Sequence, residues 1–112
     1  MTDAGRVVVV AAGFALWSGG RCVAASRWAD VRRLRAYVSS DVADSPLLLG
    51  VELLDGTIME LHEAAPGFDA FLDRASVTLA GLLPFKTWYA PFRAGASRTE
   101  GVVIYERAAR RY

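Results

Sequence analysis

Glu52, Glu60 and His62 are the side chains best suited to chemistry, two carboxylates and the only imidazole within eleven positions. Such a set can share a proton or hold a metal ion. A working acid–base pair also needs a cleft and a third group to orient it, and no flanking motif supplies either. Cys22 is the single cysteine, so it cannot pair within the chain. Arg21 beside it would favour a thiolate, but a nucleophilic cysteine needs a base as well. With one Cys and one His, a zinc site lacks its usual ligands. The residues therefore imply no enzyme activity, no catalytic or metal site and no cofactor.

Two other groups suit recognition better than catalysis. Arg32, Arg33 and Arg35, with Arg107, Arg110 and Arg111 near the end, offer forked donors for carboxylate or phosphate along a strand edge. The same charges would keep an exposed edge soluble. Trp88, Tyr89, Pro91 and Phe92 crowd a short connection. Aromatics there either anchor a partner or fold back to close the open end of a sheet. Trp88, Tyr89, Phe92, Arg32, Arg33 and Arg35 form the candidate interaction surface. Thirteen basic against twelve acidic residues leave a net charge of +1, too small for general phosphate binding. That balance disfavours nucleic acid and acidic membranes, and leaves an unidentified protein partner or a homodimer.

The elements that position these groups are read from patterning. The chain has 112 residues, 54% of them apolar, which suits one domain over residues 1–112 with a substantial core. Val7–Trp17 resembles the apolar stretch of a signal peptide, but it is too short to span a bilayer and its valines favour a buried strand. A cytoplasmic protein is expected. Arg6–Ala12 reads as the first strand with a bend at Gly13, and Phe14–Trp17 and Cys22–Arg27 flank a Ser18–Arg21 hairpin turn.

Ser26–Ser39 fits helix and strand alike, with Trp28, Val31, Leu34, Arg35 and Val38 at helical spacing and Leu34, Ala36 and Val38 alternating. Ser40–Pro46 is a polar loop. Leu47–Leu53 and the strand holding Met59 and Leu61 form a hairpin around Asp55-Gly56. A two-residue turn there would pair odd positions with even ones and split the apolar set. A three-residue Leu54-Asp55-Gly56 loop instead gathers Leu47, Leu49, Val51, Leu53, Met59 and Leu61 on one face. The spacing predicts that loop, with Gly56 left-handed. Phe68, Phe71, Leu72, Ala75, Leu79, Leu82 and Leu83 then predict one long helix from Pro66 to Gly81 and Pro84. A connection over residues 86–101 leads to a final strand, Val102–Arg107.

The ordered set Trp28-x-Asp30-Val31, Leu34-x-Ala36-Tyr37, Glu63-x-x-Pro66-Gly67-Phe68, Trp88 and Pro91-Phe92 resembles a family of small uncharacterised bacterial proteins. That family's pattern is W-x-D-[VI], an "AYK-D" strand, "EE-x-x-G-[FWY]" and a tryptophan followed by "PAF". Val38 replaces its lysine and His62 the first acid of its pair. The resemblance implies a strand rather than a helix from about Val31, and a sheet of pleckstrin-homology-like form. It also implies no assigned activity, and for some relatives a role in neutralising toxins. The expected fold is α+β, a bent antiparallel sheet of about six strands with one long helix and a closing C-terminal strand. The expected function is a protein-interaction module of immunity type, with a small-ligand cavity between sheet and helix as the alternative.

Overall fold

The computed structural model describes residues 5–38, 45–94 and 100–108. The fold is α+β, as the pattern requires, but seven strands divide into two antiparallel sheets and two helices replace the single long one. The first sheet is the meander β1 (Arg6–Val9), β2 (Gly13–Ser18) and β3 (Arg21–Arg27). The second has the order β6-β5-β4-β7, from β4 (Val31–Val38), β5 (Leu47–Leu53), β6 (Ile58–His62) and β7 (Val102–Glu106). Helices α1 (Phe68–Thr78) and α2 (Phe85–Ala94) lie between β6 and β7 in the chain.

Three sequence expectations need correction. The first strand stops at Val9, because Val10 and Gly13 bond to each other and make Ala11-Ala12 a hairpin turn. The predicted long helix ends at Thr78: Leu79 is extended, Gly81 is left-handed at φ +90°, and the apolar spacing of Leu79 to Leu83 continues without the helix. The connection after Pro84 is instead helical through Ala94, with Pro91 inside it at an exposed position, its ring taking one i→i−4 bond out of the helix. The loop expected at Ser40–Pro46 and the arginines Arg110 and Arg111 lie largely or wholly outside the described residues.

The β5–β6 hairpin has the predicted register. Leu49 faces Leu61, Val51 faces Met59, and Leu53 N–H donates to Thr57 O at 2.8 Å around Leu54-Asp55-Gly56. Gly56 holds φ +89°, the left-handed region a side chain resists. Asp55 accepts from the Thr57 amide at 2.8 Å, which lowers its pKa from the ordinary carboxylate value. The segment from Val31 is a strand, preceded by a 3₁₀ turn at Trp28–Asp30. Burial explains why strand prevails over helix: Leu34, Ala36 and Val38 join the inward residues of β5.

Both sheets and both helices share one core. At its centre the rings of Phe14, Trp28 and Phe71 meet at centroid separations of 4.8, 5.0 and 5.2 Å, so β2, the 3₁₀ turn and α1 lock together. Arg107 ties the turn to β7, donating from Nε to Val31 O at 2.9 Å and from an Nη to Trp28 O.

Candidate functional site

β4 is an inner strand, between β5 and β7, so its arginines stand on a sheet face and not on an edge. Glu106, Arg33, Glu52 and Ile58 form one row across that face. Arg33 bridges the two acids, at 3.1 Å to Glu52 and 3.0 Å to Glu106. The Glu106 hydrogen bond, then its charge and that of Glu52, raises the Arg33 pKa above its ordinary value. Arg32, displaced by the bulge at the start of β4, reaches Glu52 only at 3.8 Å and stays half exposed. Arg35 is exposed, its guanidinium 5.9 Å from the Tyr37 ring.

Tyr37 crosses to β6 and donates its hydroxyl proton to Glu60. Gly50 makes the crossing possible, since a Cβ there would stand 3.2 Å from the ring. Burial, then the Glu60 carboxylate, pushes the Tyr37 hydroxyl up to about 12. Below the ordinary tyrosine value near 10 the folded and unfolded chains both keep the proton, and the bond contributes in full. Between about 10 and about 12 only the unfolded chain ionises, so stability falls as pH rises through that window. Tyr37→Phe is expected to cost about 1 kcal/mol at neutral pH. It should also flatten the alkaline fall, which urea denaturation of both proteins between pH 8 and 11 would measure.

The structure separates the acid–imidazole set. Glu52 belongs to Arg33, Glu60 to Tyr37, and His62 Nδ1 accepts the Ala64 amide at 3.1 Å. Among the described residues no three His, Cys, Asp or Glu side chains are placed to hold a metal ion. Cys22 is exposed on β3, and its thiol lies 3.6 Å from the carbonyl oxygen of Ala24.

Trp88 and Phe92 are 5% and 8% exposed, so most of each ring is buried in the core. Tyr89 is half buried, stacked on the exposed Phe85 at 4.5 Å. α2 is fixed by a polar clasp: Arg93 donates to Ser45 O at 2.9 Å and to Glu63, which also accepts the Leu47 amide at 2.8 Å. Thus the Glu63 and Pro91-Phe92 segments singled out in the sequence do meet, through the backbone entering β5.

What α2 leaves open is a groove of about 400 Å³ against α1. Leu72, Leu82, Trp88 and Ile104 line it with apolar surface, and Phe85 and Leu83 stand exposed at its rim. Asp69 and Asp73, one helical turn apart on α1, bound one side, and Lys86 another. Neither aspartate has an ion-pair partner among the described residues, in contrast with Glu52, Glu63 and Glu106. Sequence reading missed this site because it depends on α2. The signal was present: Phe85, Trp88, Tyr89 and Phe92 stand at i, i+3, i+4 and i+7. No helix among the described residues is long and apolar enough to cross a membrane. No family model, curated protein or solved structure matches the chain.

Proposed function

We propose that this protein is a non-enzymatic protein-interaction module, and that the α1–α2 groove receives a basic, amphipathic segment of its partner. The groove itself carries the reading: an open apolar floor beside two carboxylates that make no ion pair among the described residues. Apolar side chains of a partner would bury against Leu72, Leu82 and Trp88, while its lysines or arginines would meet Asp69 and Asp73. Lys86 on another side disfavours a ligand that is cationic all round and so selects polarity as well as charge. An immunity-type role fits as one concrete form, in which the acidic wall occupies a basic region of a toxin. The groove volume also lies in the range of small-ligand sites, so a cationic amphiphile is the second reading.

Calorimetric titration tests the proposal with a short helical peptide of leucine and lysine, beside the same peptide with glutamate for lysine. Only the lysine peptide should bind, more weakly as salt rises. Asp69→Asn/Asp73→Asn should weaken it roughly tenfold, the scale of two partly exposed ion pairs. Equal binding of both peptides, or none of either, would contradict the reading.

A further inference from the structure

The groove follows α1 for two turns. Asp69, Leu72, Asp73 and Ser76 line it at i, i+3, i+4 and i+7, one stripe of the helix about 10 Å long. Leu72 and Leu82 are partly open there, and Leu83 and Phe85 are 44% and 42% exposed. Charge spacing alone leaves the conformation of a bound segment undecided, because bases at i and i+4 of a helix and at i and i+2 of a strand both stand about 6–7 Å apart. The groove's own backbone decides it. An extended segment carries a donor and an acceptor at every residue and needs a free strand edge to pair them. The strand that reaches the groove is β7, at Ile104 on the edge of its sheet. There the Ile104 carbonyl already accepts the Leu83 amide at 2.9 Å. The chain between the helices also bonds to itself, the Leu82 amide to Leu79 O at 3.2 Å and the Thr87 amide to Pro84 O at 2.9 Å. Ser76 donates its hydroxyl proton to Asp73 O at 2.7 Å. An extended guest would bury its peptide groups over Leu72, Leu82 and Trp88 unpaired, at a high cost. A helix pairs its backbone internally and presents side chains alone.

Given the groove reading above, on which this rests, we infer that the partner segment enters as an α-helix laid along α1, with two bases one turn apart on its flank. Its apolar residues, at i, i+3, i+4 and i+7, cover Leu72, Leu82, Leu83 and Phe85, ridge against groove as neighbouring helices pack. The two bases, at i and i+4, meet Asp69 and Asp73, which are separated by the same turn of α1. The site thus selects a sequence pattern of period 3.6 as well as a charge and a polarity.

Calorimetric titration of the full chain with leucine–alanine–lysine peptides tests this. One peptide has leucine at helical spacing and lysine at i and i+4. A second, of the same composition, alternates leucine and lysine with period two. A third is the first with a central alanine exchanged for proline. The first is expected to bind, with the Cα shifts of the isotope-labelled peptide moving to helical values. The proline peptide should bind roughly a hundredfold more weakly, the cost of a proline inside a helix, and the period-two peptide no better. Moving the second lysine to i+2 turns it off the flank. That should cost roughly two- to threefold with the wild type and nothing with Asp69→Asn/Asp73→Asn. A proline or period-two peptide that binds as tightly as the first, with amide shifts at Leu72 and Leu82, would overturn the helix and leave the groove reading standing. Indifference of the wild type to lysine placement would overturn the one-turn pattern in the same way. Binding by none of the peptides would remove the groove reading, and the helix with it.

Discussion

Phe71→Ala is expected to lower the unfolding free energy by about 3–5 kcal/mol, the range for deleting a buried aromatic ring. Phe71 is fully buried and forms the vertex at which α1 meets Phe14 of β2 and Trp28 of the 3₁₀ turn, so three elements lose one anchor. The neighbouring rings belong to rigid elements and cannot collapse into the space. Against a total stability of order 5–15 kcal/mol, such a loss removes a large share of the whole. Phe71→Leu keeps an apolar group there and should cost clearly less. Urea denaturation read by tryptophan fluorescence would compare the two. A loss under about 1 kcal/mol for the alanine variant would mean that the aromatic trio does not hold the first sheet to α1.

Gly67→Ala should be comparably damaging, for a backbone reason. Gly67 precedes α1 at φ +90°, and a Cβ there would lie 1.9 Å from the carbonyl oxygen of Val7. The left-handed conformation alone costs an alanine about 1–2 kcal/mol. The contact adds a clash with backbone that cannot rotate away, since the Val7 amide is bonded to Pro66 O at 2.8 Å. Gly56 and Gly81 hold nearly the same φ with open space around them, so Gly56→Ala and Gly81→Ala isolate the conformational cost. The expected order is at least about 3 kcal/mol for Gly67→Ala and about 1–2 for the other two. Equal losses at all three positions would show that β1 yields without cost.

The parts of the fold legible in the sequence are those fixed by parity over short range. The β5–β6 register follows from six apolar residues that share a face in only one loop length. The strand from Val31 was ambiguous by period, because Trp28, Val31, Leu34 and Val38 suit a helix as well; resemblance decided it, and burial accounts for it. Pairing across long separations left no local trace. Nothing in Val102–Glu106 says that it joins β4, yet that pairing converts a presumed arginine edge into a crossed face of ion pairs. The end of α1 was hidden by leucines that keep helical spacing beyond Thr78, although Gly81 marked the break. α2 was hidden by Pro91, which reads as a helix breaker unless its solvent-facing position is known. With α2 unread, Trp88 and Phe92 could either anchor a partner or close the sheet, and the groove that Trp88 helps to line had no visible walls.

Arg33 is engaged in the sheet face, Trp88 and Phe92 in the core, and Arg93 in the Glu63 clasp, whereas Asp69, Asp73 and Phe85 remain available. The central claim is therefore one of location, and amide chemical-shift mapping during titration with the leucine–lysine peptide tests it most directly. The account predicts shifts at Leu72, Asp73, Leu82 and Phe85 and at the Trp88 indole, all reduced in Asp69→Asn/Asp73→Asn. Shifts confined to Arg32 and Arg35 on the sheet face, with the groove silent, would contradict it.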